Sequence, residues 1–269
     1  MMPSRPLSLV TGASSGIGAS FARQLAALGH DLVLTARRTE RLDTLATELK
    51  KQHDTQVTVL PHDLADAASP RLLCEEMDHR GLQVDWLINN AGYGVPGTFD
   101  ANEWTTHADF LQVLLTAPTE LAYRLLPGMR RRKYGRIINV ASLAGHVPAP
   151  PGHTLYAPVK AYLIKFSQSL ALENRHLGVN VCALCPGFTW SEFHDVTQTR
   201  GKMDKLPGFM WLTSEEVVRQ GIAAAQRGDA VYIPGRINRL IKSVIQLMPD
   251  KLALHLSARQ ARRYRNTGI

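Results

Sequence analysis

The sequence predicts a doubly wound α/β protein: a parallel sheet of about seven strands with helices on both faces. Three observations lead there. Short apolar runs alternate with longer helical stretches along most of the chain. The runs are apolar on both faces, as strands buried inside a parallel sheet must be. No low-complexity linker or internal repeat divides the chain, and α/β sheets of this length are commonly single domains. The expected division is one α/β domain over 1–235 and a basic amphipathic helical extension over 236–269.

In chain order, the strands are expected at 7–10, 32–34, 57–60, 86–88, 137–140, 179–184 and 230–233. Helices are expected near 16–29, 39–52, 66–80, 103–132, 156–177 and 214–227, with Thr213 and Glu216 spaced as a capping box at the start of the last. Residues 189–212 have no clean periodicity and carry Trp190, Phe193, Phe209, Met210 and Trp211. An irregular aromatic stretch after a strand end reads as a lid or binding loop, against a plain surface insertion. In such a sheet, ligands bind beyond the carboxyl ends of the strands, where the strand order reverses.

Composition narrows the functional classes. Apolar residues make up 45% and charged residues 20% of the chain, ordinary for a globular protein. No apolar run approaches the roughly 20 residues that span a bilayer. Three cysteines do not make a disulfide framework, so a reducing, cytoplasmic setting is expected. Of the net charge of +8, +7 lies in residues 236–269, so the body is nearly neutral and nucleic acid is not an expected partner.

The unusual residues sit just after the strands. Val10-Thr-Gly-Ala-Ser-Ser-Gly-Ile-Gly18 joins the first strand to the first helix. Gly12 permits a tight turn, Gly16 lets the backbone approach a pyrophosphate, and Gly18 lets helix and strand pack closely. The free N–H groups of Ser14, Ser15, Gly16 and Ile17, with the helix dipole, favour phosphate. The second strand ends in Thr35-Ala-Arg-Arg38 where an acid would bind a ribose 2′-hydroxyl. Arg37 and Arg38 suit a 2′-phosphate instead, which points to NADP(H).

These segments, with five more, resemble the short-chain dehydrogenase/reductase family. Asp63-Leu64 follows the third strand, Asn89-Asn90-Ala91-Gly92 the fourth, Ser142 the fifth, and Pro186-Gly187-Phe188-Thr189 the sixth, while Tyr156-x-x-x-Lys160 opens a helix. The resemblance covers roughly 5–235. It implies a Rossmann-type sheet, an NADP(H)-dependent carbonyl reductase or alcohol dehydrogenase, and a homodimer or homotetramer. It also implies that Asp63 and Leu64 lie at the adenine, that Asn89, Ala91 and Gly92 line the cofactor, and that Pro186, Gly187 and Thr189 lie by the carboxamide. Lys160 would reach the nicotinamide ribose.

Elementary chemistry supports the reacting group. Tyr156 and Lys160 share a helix face at i and i+4. A phenol has a reference pKa near 10, and a neighbouring ammonium favours its phenolate. Tyr156 then serves as acid to a carbonyl or base to an alcohol, with Ser142 steadying the oxygen. The expected substrate is an apolar ketone, ketoacyl or steroid-like compound.

Three features depart from the family. Leu114 stands where an Asn usually distorts the helix and holds a water beside the lysine. Ser142 and Tyr156 are fourteen apart, one more than is commonest, with Pro148–Gly152 expected to absorb the extra residue. Pro158 lies in the first turn of its helix, where Pro is tolerated. The alternative prompted by Leu114 is an NADP(H)-binding sensor with little turnover.

Other signals read as structural. Cys182-Ala-Leu-Cys185 lies in a strand, where residues three apart face opposite sides. The ten histidines show no zinc spacing, and no metal is expected. His146, His153 and His194 fall near the presumed cleft but read as surface residues. Ile237, Leu240, Ile241, Val244, Ile245 and Met248 form one helical stripe ending at Pro249, followed by the basic stretch 251–265. The stripe packs on the body or a sister subunit, or it lies on an anionic membrane surface.

Overall fold

The computed structural model describes residues 5–149, 151–152, 154–190 and 208–264. Seven strands form one sheet: β1 (Leu7–Thr11), β2 (Asp31–Thr35), β3 (Val57–Val59), β4 (Trp86–Asn89), β5 (Gly135–Val140), β6 (Val179–Leu184) and β9 (Val231–Tyr232). Their order is β3-β2-β1-β4-β5-β6-β9, and every pairing is parallel. The order reverses between β1 and β4, so the turns leaving these two strands open onto one crevice. The expected fold class is therefore what forms.

Strand alternation divides the core in two. Val10, Leu34, Ile88, Ile138 and Leu184 face α1 (Gly16–Ala27), α2 (Thr39–His53) and α7 (Ser214–Arg227). Leu9, Val33, Leu87, Ile137 and Val181 face α3 (Ser69–His79), α5 (Ala117–Arg132) and α6 (Tyr156–Asn174). Cys182 packs in the first layer, whereas Cys185 packs with Leu163 and Ile164 on the other side, and both are free thiols. The opposite-face reading of the CxxC spacing holds.

The expected helix at 103–132 is interrupted. It consists of α4 (Trp104–Leu111), a π turn over Gln112–Thr116, and α5. Outside the main sheet, β7 (Thr189–Trp190) and β8 (Leu212–Thr213) pair in parallel and join the two ends of the aperiodic stretch. Trp190 stacks on Trp211 with ring centroids 4.1 Å apart. Residues 191–207, including His194, and His153 lie outside the described residues.

The basic extension forms α8 (Arg236–Gln246) and α9 (Asp250–Tyr264). It touches the loops at the carboxyl edge of the sheet. A Cβ on Gly187 would come within 2.4 Å of the buried Asn238 side chain, and Ser257 Oγ donates to Pro148 O at 3.0 Å. The apolar stripe is only partly covered: Leu240 and Val244 are exposed, and Ile237, Ile241 and Ile245 are half-buried. No described helix is long and apolar enough to cross a membrane.

Candidate functional site

The glycine turn after β1 has the backbone that its sequence requires. Gly12 and Gly16 have φ of +65° and +53°, which side chains with a Cβ rarely adopt. A Cβ on Gly18 would lie 2.2 Å from the Gly12 carbonyl oxygen, and one on Gly12 would lie 2.8 Å from Ala91 Cα. The turns after β1 and β4 are thus in backbone contact. Asn90 ties them, donating from Nδ2 to Thr11 O at 3.0 Å. Thr11 Oγ1 accepts from Asn90 N at 2.9 Å and Ala91 N at 3.0 Å. The structural role of Asn90 was not read from the sequence, although it sits inside the Asn-Asn-Ala-Gly segment.

Ser15 is the N-cap of α1 but makes no side-chain cap bond, so the first amides of α1 have no capping acceptor. Ile17 packs partly against the core. Over this turn lies Arg38, whose guanidinium donates to Ser14 Oγ at 3.0 Å and Ser15 Oγ at 2.8 Å. Arg37 beside it is exposed. A cationic group thus stands next to a helix N-terminus, an arrangement that suits two phosphate groups. Asp63 is exposed, its carboxylate accepting from Ala65 N at 3.0 Å. Leu64 and Asn89 are buried, so their side chains are committed to the interior.

The other half of the site follows β5 and β6. Ser142 Oγ accepts from Ala144 N at 3.1 Å, capping a 3-10 turn over Leu143–His146 and leaving its own proton to donate. Leu143 N donates to Pro186 O at 2.8 Å, joining this loop to the Pro186–Thr189 turn. Thr189 is buried, its hydroxyl donating to Gly187 O at 3.2 Å. A Cβ on Gly145 would meet the Lys160 carbonyl carbon at 2.7 Å, so the Ser142 loop lies directly on α6.

Tyr156 begins α6, with Pro158 in the first turn, where no helical N–H partner is lost. Lys160 is one turn further on, buried, and its ammonium donates to Val140 O at 2.7 Å. Its nitrogen lies 5.5 Å from the centroid of the Tyr156 ring. Burial pushes the Lys160 pKa down to about 8, partly opposed by Cys185.

Leu114 lies within the π turn, and its side chain fills the space against Gly92, whose added Cβ would meet Leu114 Cγ at 3.4 Å. The helix distortion is therefore present without an Asn there.

A small cavity of about 10 Å³ opens beside Tyr156, lined among others by Val95, Phe99, His107, Phe110 and Leu155. His107 Nε2 donates to Phe99 O at 2.7 Å, and its buried Nδ1 has no partner among the described residues. Phe99, His107 and Phe110 were not among the candidate site residues read from the sequence. The only available signal was the i, i+3 spacing of His107 and Phe110. His146 is half-buried, and burial with Lys242 and Lys165 nearby lowers its pKa. Among the described residues no cluster of His, Cys, Asp or Glu could hold a metal ion.

Comparison with known proteins agrees with this geometry. Residues 7–201 match the family model described as short chain dehydrogenase. Nodulation protein G of Rhizobium sp. (strain N33) is 37% identical over 235 residues, 85% of this chain and 92% of that protein. A short-chain dehydrogenase from Sphingobium yanoikuyae, solved in complex with NADPH, superposes with a TM-score of 0.78 at 32% identity, covering 91% of this chain and 96% of that one. The bulky-bulky ketone specific alcohol dehydrogenase from Comamonas testosteroni gives 0.75 at 30% identity, covering 92% and 95%. The match over most of the sheet and the shared fold together make this chain a member of the short-chain dehydrogenase family of oxidoreductases.

Proposed function

We propose that the protein is an NADP(H)-dependent reductase of an apolar ketone, ketoacyl or steroid-like carbonyl compound, acting reversibly on the corresponding alcohol. The observation that carries this reading is the buried Lys160 ammonium beside the Tyr156 ring. The relatives fit it: one solved neighbour holds NADPH and another is specific for bulky ketones.

The residues present suit the dinucleotide. The first amides of α1 and the turn at Gly12–Gly18 would hold the pyrophosphate, and Arg37 and Arg38 the 2′-phosphate. Asp63, Leu64, Asn89, Ala91 and Gly92 would run along the adenosine side, with the last three through main chain. Pro186, Gly187 and Thr189 would flank the nicotinamide. When bound, NADPH supplies the hydride.

The protein's own groups handle the proton. Ser142 donates a hydrogen bond to the substrate oxygen, its lone pair already engaged by Ala144 N. Tyr156 gives its phenolic proton to that oxygen as charge develops there. The Lys160 ammonium stabilises the phenolate left behind. Phe99, Phe110, Val95 and Leu155 offer the apolar walls.

The test is NADPH oxidation, followed by absorbance, with aryl ketones, 3-ketoacyl thioesters and steroid ketones. Turnover that falls about 10²- to 10⁴-fold in Tyr156→Phe supports the reading. Tight NADPH binding without turnover on any of them favours the sensor alternative.

A further inference from the structure

We propose that α8 and α9 form a docking surface for an anionic lipid bilayer, on which the protein lies without crossing it. Docking of this kind does not depend on the reaction assigned above.

Apolar exposure is concentrated at this end of the chain. Six of the fourteen exposed large apolar side chains among the described residues lie within 240–256. They are Leu240, Val244 and Leu247 along α8 and at its end, and Leu252, Leu254 and Leu256 on α9. Clustered exposure of this kind marks a surface that meets a partner.

The side chains are ordered along each helix. Leu240, Val244 and Leu247 follow at i, i+4 and i+7, one outer stripe of α8, and the exposed Arg236 stands one turn ahead on the same stripe. The other side of α8 carries Asn238, buried against Gly187, with the half-buried Ile241 and Ile245. α9 repeats the spacing. Leu252, Leu256 and Arg259 share an exposed stripe, whereas Ala253 is buried and Ser257 Oγ donates to Pro148 O.

Charge selects the occupant. Residues 236–269 hold eight Lys/Arg and one acid, Asp250, which leaves +1 for the rest of the chain. A second copy docked face to face across a two-fold axis would press two segments of +7 together. A nucleic acid would match the charge and leave the leucines in water. An anionic bilayer meets both needs. The leucines enter the boundary between headgroups and acyl chains, and the basic groups reach the phosphates from long apolar stems. Helices of 11 and 15 residues are shorter than the roughly 20 residues of a spanning helix, so they lie in the plane of the surface.

The surface adjoins the site. α8 packs on the turn at Leu143–His146 and on Gly187, and α9 meets Pro148. Docking therefore holds the loops that carry Ser142 and Thr189 close to the bilayer, where apolar compounds concentrate.

The test is sedimentation of the full-length protein with vesicles of phosphatidylcholine alone, or of equal parts phosphatidylcholine and phosphatidylglycerol. Affinity for the mixed vesicles should be about tenfold higher or more. Salt at about 1 M, which cuts the screening length to about 3 Å, should release the protein. Arg236→Glu/Lys251→Glu should weaken mixed-vesicle binding about tenfold or more. Both positions lie in the first turn of their helices, where an acid suits the dipole, so the fold is kept. Leu240→Ser/Leu247→Ser should abolish binding, with thermal midpoint and NADPH affinity unchanged because both side chains are exposed. Failure to bind the mixed vesicles, or equal binding to both kinds whatever the salt, overturns the proposal. So does a lipid-free native oligomer that Leu240→Ser/Leu247→Ser splits in sedimentation equilibrium, which assigns the face to a second copy. No readout uses turnover, so the outcome is separate from the reaction assigned.

Discussion

The ammonium of Lys160 donates to the main-chain oxygen of Val140 at 2.7 Å, inside the protein and at the end of β5. That burial disfavours the charged form, so folding is opposed by Lys160 at neutral pH. Its folded-state pKa of about 8 lies below the ordinary value for lysine. Between those two pH values the unfolded chain binds more protons, so this group's penalty is full below about pH 8 and fades as pH rises toward that of free lysine. Urea unfolding of the cofactor-free protein should show this against Lys160→Met. The native protein should gain about 2 kcal/mol relative to the variant between pH 7 and 9.5. A difference that does not change with pH would show that the lysine is not desolvated in the folded state.

Arg38 bridges Ser14 and Ser15 at the start of α1, and Arg37 is exposed next to it. If these guanidinium groups receive a 2′-phosphate, Arg38→Ala loses charge-assisted hydrogen bonds made only by the phosphorylated dinucleotide. NADPH affinity should fall about 10- to 100-fold, the equivalent of roughly 1.5–3 kcal/mol for bonds to charged groups. NADH affinity should change little. Isothermal titration with both nucleotides measures the ratio, and equal losses for the two would assign Arg38 to the turn's conformation instead.

Gly18 faces the Gly12 carbonyl so closely that a Cβ would stand 2.2 Å from its oxygen. The obstacle is backbone, which cannot swing aside as a side chain does. Gly18→Ala should therefore push α1 away from the β1 turn, lowering stability by at least the roughly 1–3 kcal/mol typical of overpacking and weakening dinucleotide binding. Gly29→Ala makes the control, since no atom lies within 4 Å of its Cβ, although its φ of +83° adds backbone strain. Thermal unfolding with and without NADPH separates the two: only Gly18→Ala should lose the ligand-induced rise in midpoint.

The helix at Ser214–Arg227 shows how far the sequence could be read. The spacing of Thr213 and Glu216 suggested a reciprocal cap, and half of it forms: Thr213 Oγ1 accepts from Glu216 N at 3.2 Å. The Glu216 carboxylate instead receives Arg219 and Gln220. Thr213→Ala should cost about 1 kcal/mol, a few degrees in the thermal midpoint, whereas Glu216→Ala should cost only a few tenths. The same contrast runs through the site. Gly12, Gly16, Tyr156 and Lys160 were legible because backbone conformation and i, i+4 geometry are local properties. The π turn was not, since one shift from i, i+4 to i, i+5 bonding inside a helix leaves no periodic mark in the sequence. Phe99 and His107 were hidden because their meeting beside Tyr156 depends on how α4 packs across the chain.

The three cysteines test the compactness of the core. Cys74 and Cys182 have thiol pKa values pushed up to about 12 by burial, and Cys185, beneath the Ser142 loop, is pushed higher for the same reason. Only the thiolate reacts with a disulfide reagent, and buried thiols are further shielded from it. In native protein at pH 8, none should be titrated within minutes, and three should appear at once in denaturant. Because Cys185 neighbours Lys160 electrostatically and lies under the proposed nicotinamide end, its slow exposure reports opening of the catalytic face. Saturating NADPH should slow that reaction in proportion to the stability it adds, while leaving the exposure of Cys74, carried by α3 and packed in a separate cluster from Cys185, less affected. Rapid labelling of Cys182 and Cys185 together, or their oxidation to a pair, would contradict their placement on opposite faces of the sheet.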